Sequence, residues 1–231
     1  MEGLRRKVMT DGLIKDINSK VTCITQYIEY DAPELNIAEM LRYAGFPMDV
    51  ARKIASGELV DEEINERQKK ALDLIKGQLT YKVGYKFIKL EREDGYPVFP
   101  FQQHSDNLKN NLENCEYAIM FAATIGSGID RLIRRYEKTA RDMGIFLQGL
   151  GAERVESLCD TFNRDVKTIA LEAGLKAHAR YSPGFGDLPI TVQADFLKTL
   201  DAERRMGITL SDSFLMAPSK SVTAIIGLEP L

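Results

Sequence analysis

Residues 178–227 read HARYSPGFGDLPITVQADFLKTLDAERRMGITLSDSFLMAPSKSVTAIIG, an arginine, a Gly-rich turn, a helical segment and an apolar run in one uninterrupted stretch. Within R-Y-S-P-G-F-G-D-L-P, Pro183 fixes φ, while Gly184 and Gly186 tolerate φ > 0, so the backbone can fold closely around a small molecule. Arg180, just before the turn, would supply a two-pronged donor for a carboxylate. Farther on, Phe214 to Gly227 reads as two short strands broken at Ala217-Pro-Ser-Lys220, an apolar hairpin with Phe214 partly in the core and Lys220 exposed.

Working toward the N-terminus, Val155, Leu158, Phe162, Val166 and Ile169 recur every three to four residues, which predicts a long amphipathic helix ending at Gly174. Gly144, Gly149 and Gly151 near its start permit close packing. Before it, a helix is expected from Ser127, with Asp130 as its capping partner and Ile129, Leu132, Ile133 and Tyr136 on one face. Cys115 to Thr124 (CEYAIMFAAT) is continuously apolar between Asn114 and Gly126, the pattern of a strand buried on both faces. Tyr81, Val83, Tyr85, Phe87 and Ile88 form another strand, followed by a turn at Glu93-Asp-Gly95.

Upstream, the chain reads as helical. Asn36-Ile-Ala-Glu39 is a capping signature for a helix through Tyr43 to Gly45, and Pro47 opens a second helix to about Ser56. A third runs from Asp61, carrying Ile64, Leu72, Leu74 and Ile75, to Gly77. Within the first 30 residues, Val21, Cys23, Ile24, Tyr27 and Ile28 suggest a short helix leading into a strand. Strands separated by helices of unequal length, without regular βαβ alternation, predict an α+β fold: a central twisted sheet, antiparallel or mixed, packed with long helices. No repeat or interdomain linker is visible. The expectation is a single domain over 1–231, mainly helical in 1–80, with the sheet, long helices and ligand site in 81–231.

Composition narrows the function classes. Of 231 residues, 44% are hydrophobic and 28% charged, an ordinary globular balance. The 31 basic residues are scattered and outnumbered by 34 acidic ones, leaving a net charge of −3 and no phosphate-backbone footprint, so nucleic acid is not expected as a partner. The longest apolar run is too short to span a bilayer, and MEGLRRKVMTDG has no apolar segment of the secretory type behind its basic residues. Cys23, Cys115 and Cys159 fit neither a zinc spacing nor a paired disulfide framework, which suits a cytoplasmic location. Gly126/Gly128, Gly149/Gly151 and Gly184/Gly186 lack the third glycine of a dinucleotide fingerprint. His104 and His178 stand outside any metal-ligand spacing, so no metal site is expected. Cys159, inside the long helix, reads as core.

The order of residues in 178–227 resembles the activation domain of cobalamin-dependent methionine synthase. That pattern is an Arg, a Pro-Gly turn, a Pro, a short helix, then T-x-[ST]-[DE]-S-[FY]-x-M-x-P-x-x-S-V-[ST]. Here it reads Arg180, Pro183-Gly184, Pro189, a helical segment, then Thr209, Ser211-Asp212-Ser213-Phe214, Met216, Pro218 and Ser221-Val222-Thr223. AERVESLCDTF at the start of the long helix resembles the family's long helix more faintly. The resemblance implies a domain that binds S-adenosylmethionine and caps a corrinoid, so that cobalamin, after one-electron reduction, is remethylated. It implies ligand contacts from Arg180, Pro183, Gly184 and Phe185.

Neither histidine lies in D-x-H-x-x-G, the motif of the family's corrinoid carrier. Cobalamin would therefore be carried by a partner, a corrinoid-binding methyltransferase or methionine synthase polypeptide. An electron donor such as a flavodoxin or an iron–sulfur protein would complete the system. If active, the chain would be part of a methyltransferase. The segment Phe214 to Val222 would help to form the surface that meets the carrier.

Several residues depart from the pattern. Phe185 stands where the family has Tyr, which removes a hydroxyl. The family's early acidic residue beside a Trp has no counterpart in LNIAEMLRYAGFP, and its later aromatic pair has none before Leu231. Glu153 and Glu156 lie on the helix that carries a family acidic residue, with the register open by one or two positions. These departures keep alternatives in view: a module that caps a corrinoid protein without using S-adenosylmethionine, a partner of a different corrinoid methyl-transfer system, or a relic that has lost its ligands.

Overall fold

The computed structural model describes residues 11–12, 15–16, 24–101 and 104–231. The elements, in chain order, begin with β1 (Gln26–Tyr30), α1 (Ile37–Tyr43), α2 (Met48–Ser56) and α3 (Glu62–Ile75). β2 (Tyr81–Lys89), β3 (Arg92–Glu93), β4 (Tyr96–Pro97), α4 (Asp106–Asn111) and β5 (Tyr117–Thr124) follow. Then come α5 (Gly128–Thr139), the 32-residue α6 (Arg141–Glu172), β6 (Leu175–Ala177), α7 (Gln193–Thr199) and α8 (Ala202–Met206). β7 (Thr209–Leu210), β8 (Met216–Ala217) and β9 (Ser221–Pro230) close the chain.

The helical N-terminal region starts where its caps dictate. The Asn36 side chain accepts the Glu39 backbone N–H at 3.1 Å, and Asp61 accepts that of Ile64 at 3.0 Å, each satisfying a donor that the first turn cannot. The strand expected near residue 28 is β1; Val21 and Cys23 lie outside the described residues.

The central sheet has the order β1-β2-β5-β9-β6, and every pairing is antiparallel. β5 is buried on both sides, as its unbroken apolar run requires. Ile119, Phe121 and Ala123 join a core formed with α1, α2, α3 and α6, whereas Ala118, Met120 and Ala122 face the layer that contains α4, α7 and α8. Phe162 of α6 sits over the first face, 5.6 Å from the Tyr85 ring and 4.9 Å from that of Phe121. Such aromatic pairs each add about 0.5–1.5 kcal/mol beyond burial. Where α1 crosses α6, a Cβ at Gly149 would lie 2.6 Å from the Met40 carbonyl oxygen, so close approach of the two helices demands glycine.

The C-terminal segment corrects three expectations. First, Phe214 to Gly227 does not fold back on itself. β8 pairs with β7, while β9 enters the middle of the main sheet, matched residue for residue with β5 from Thr124↔Ser221 to Tyr117↔Leu228. A run apolar on both faces needs partners on both edges, which a two-stranded hairpin does not provide. Second, Lys220 is half-buried rather than exposed. Its stem passes over Gly151, its ammonium donates to Gln148 Oε1 at 2.8 Å, and burial pushes its pKa down. Third, Asp130 does not cap α5. Its carboxylate instead accepts the Ser219 backbone N–H at 2.9 Å and hydroxyl at 2.5 Å, fastening the loop before β9. Cys159 is fully buried, as its place in the helix predicted, and burial raises its thiol pKa.

Candidate functional site

Glu153, Ser157, Asp160 and Arg164 follow one another at intervals of four, three and four residues, and Glu156 lies three after Glu153 and four before Asp160, so they share one face of α6. At its N-terminal end, Glu153 is 1% and Arg154 3% exposed. The Glu153 carboxylate accepts from Arg154 Nη2 at 2.7 Å, the Ser157 hydroxyl at 2.6 Å and the Asn36 backbone N–H at 2.9 Å. The Arg154 guanidinium also donates to the carbonyls of Pro33 (2.6 Å) and Glu34 (2.8 Å). These bonds satisfy the buried pair and clamp the β1–α1 connection onto α6.

One turn farther, the same face meets Arg180. Its Nη2 donates to Glu156 Oε2 at 2.5 Å and its Nη1 to Asp160 Oδ1 at 2.6 Å. This cluster is open: the side chains of Arg180, Glu156 and Asp160 are 24%, 36% and 65% exposed. Burial acts to lower the Arg180 pKa, but the hydrogen bond it donates to Asp160 and the neighbouring anionic charges outweigh it, and the guanidinium is held firmly charged.

The turn after Arg180 is rigidly set. Tyr181 exchanges two backbone hydrogen bonds of 2.8 Å with Ile225 of β9, extending the sheet by one bridge. The Gly184 N–H donates to the Leu188 carbonyl at 2.8 Å, and Gly184 and Gly186 take φ of 84° and 56°. At Gly186 a side chain is excluded twice over, because a Cβ would lie 2.4 Å from Asn107 Nδ2 and 2.6 Å from the Tyr181 hydroxyl. The Asp187 carboxylate accepts the Ser105 hydroxyl and the backbone N–H groups of Asp106 (2.7 Å) and Asn107 (3.3 Å). The Ser105 bond, foremost, pulls its pKa below the usual carboxylate value. Phe185, at the tip, is 72% exposed, edge-on to the Tyr181 ring, and its carbonyl accepts the Tyr181 hydroxyl at 2.9 Å.

A groove of about 490 Å³ lies between α6 and the β1–α1 connection, lined by Pro33, Asn36, Ala55, Ser157, Asp160 and Arg164; Arg180, Pro183, Gly184 and Phe185 do not line it, and Arg180 reaches it only through its bond to Asp160. Its size suits a small organic ligand. A guanidinium beside two carboxylates offers complementary partners to a zwitterionic amino-acid group. The structure thus brings Arg180, Pro183, Gly184 and Phe185 onto one loop, with Phe185 facing outward and Arg180 facing α6.

Sequence reasoning missed Asp160 and Asp187. The four-residue step from Glu156 to Asp160 places both on the face that carries Glu153, which was a usable signal; Asp187, whose partners lie some 80 positions away, had none. Of the two acids whose register the sequence left open, Glu153 is buried against Arg154 and Glu156 pairs with Arg180. Among the described residues, no group of three or more His, Cys, Asp or Glu could hold a metal ion, and no helix is long and apolar enough to cross a membrane.

The model of the vitamin B12-dependent methionine synthase activation domain matches residues 89–230. Among solved structures, the crystal structure of the MetH reactivation domain bound to AdoHcy is similar, with a TM-score of 0.57 and 17% identity, over 90% of this chain and 79% of that one. No curated protein matches the chain.

Proposed function

We propose that this chain, which belongs to the family of vitamin B12-dependent methionine synthase activation domains, positions S-adenosylmethionine for reductive reactivation of a corrinoid methyltransferase carried on a separate polypeptide. The observation that carries the reading is Arg180, bonded to Asp160 of the groove wall and followed by a loop whose path is fixed by Gly184, Gly186 and Asp187. In this reading Arg180 takes the ligand's carboxylate, and the backbone around Pro183 and Gly184 lies against it. The crystal structure of a fold relative with AdoHcy bound supports a ligand of this type.

The ligand, when bound, supplies a methyl group on a sulfonium, already an excellent leaving group, so the protein's task is chiefly to orient it and exclude water. In this reading the corrinoid is held by a partner. That partner, with an electron donor of the flavodoxin or iron–sulfur type, would work with this chain as one domain in the cytoplasm. The buried free thiols of Cys115 and Cys159 are in keeping with a reducing compartment.

A second reading, a capping module that uses no S-adenosylmethionine, draws support from Glu156 and Asp160, which already satisfy Arg180. The deciding experiment mixes a reduced corrinoid methyltransferase, S-adenosylmethionine and this protein, and follows methylcorrinoid formation by absorbance. Methylation that depends on the chain and is lost in Arg180→Ala supports the first reading. A rate indifferent to the chain refutes it.

A further inference from the structure

Arg180 directs one N–H of each terminal nitrogen to a carboxylate, Nη1 to Asp160 and Nη2 to Glu156. A ligand carboxylate seeking both terminal nitrogens therefore finds that pair of donors already engaged, and the three charges sum to one excess negative. Both acids come from a single helix, at a spacing that lets them grip the arginine together, and Asp160 lines the groove itself. From this arrangement we propose that Glu156 and Asp160 form a latch, an internal stand-in for the ligand's carboxylate, and that the ligand enters by exchanging with them. The proposal rests on the reading that Arg180 binds the ligand's carboxylate, and adds what governs access to it.

The exposure of the cluster allows such an exchange. Ion pairs in contact with water are held weakly, because water stabilises the separated charges nearly as well as the partner does. Asp160, the most exposed of the three, would release first into solvent.

The test is a calorimetric titration of three proteins, the wild type, Asp160→Asn and Glu156→Gln/Asp160→Asn, with S-adenosylhomocysteine and with its decarboxylated analogue. Removing two weak competitors should tighten S-adenosylhomocysteine by about five- to tenfold in the double variant and by less in Asp160→Asn. The analogue, which has no carboxylate to exchange, should gain nothing. The single variant alters only a largely exposed side chain and guards against a folding defect in the double one. If the wild type binds but the variants bind no tighter, or the analogue gains equally, the latch is refuted while the ligand reading survives. Should none of the three proteins bind S-adenosylhomocysteine, the ligand reading itself falls and takes the latch with it.

Discussion

Glu153 and Asp160 stand two turns apart on one face of α6, and each holds an arginine, yet the two clusters lie in opposite surroundings. The Glu153–Arg154 pair is sealed from water, and its remaining hydrogen-bonding capacity is spent on Ser157 and on backbone groups of residues 33, 34 and 36. Separating it would leave a charge in the interior, and its partners are parts of the chain that cannot leave. The Arg180–Glu156–Asp160 cluster has the same chemistry in contact with solvent, where charges can change partners at little cost. Burial, rather than residue type, decides which cluster holds the fold and which can serve a ligand.

The largest effect should come from breaking the sealed cluster. Arg154→Ala leaves Glu153 charged, buried and short of its principal donor, and should cost about 3–5 kcal/mol of stability in urea unfolding. A loss under about 1 kcal/mol would mean that the pair is not the clamp described. Arg180→Ala should be its counterpart, changing stability by no more than about 1 kcal/mol while weakening S-adenosylmethionine binding about tenfold or more, the scale of a charge-assisted hydrogen bond. Were Arg180→Ala to unfold the protein as readily as Arg154→Ala, the distinction between the clusters would collapse.

A smaller effect concerns the anchor of the loop after Arg180. Hydrogen bonding holds Asp187 ionised below the usual carboxylate pKa. Its contribution is therefore fully present above the unfolded value near pH 4 and is lost as pH falls through the lowered folded value. Asp187→Asn should lower stability at neutral pH and make the acid limb of a melting-temperature profile shallower. An acid limb identical in both proteins would show that the anchor is not energetic.

The same contrast explains how much was legible in the sequence. Asn36 and Asp61 act on N–H groups three residues away, and the apolar run of β5 states its own burial, so helix starts and the two-sided strand could be read from local pattern. The path of β9 could not be. Its apolar run fits either a hairpin or a central strand, and the choice depends on β5, about 100 positions earlier in the chain. Lys220 looked exposed because it is charged and lies in a turn, whereas its stem fills the space that Gly151 leaves open across the molecule. Arg180 was singled out by its position before the turn. Its partners were obscure, since one helix face carries both the sealed and the open cluster and only the third dimension separates them.

The central claim, that the open arginine is a ligand clamp and the sealed one is not, is tested most directly by titrating S-adenosylmethionine into the wild type and Arg180→Ala in a calorimeter, with both proteins shown to be folded by their unfolding curves. The account predicts one binding site per chain in the wild type, with affinity reduced about tenfold or more in the variant at nearly unchanged stability. Equal affinity in the two proteins, or no heat of binding in the wild type, would contradict it.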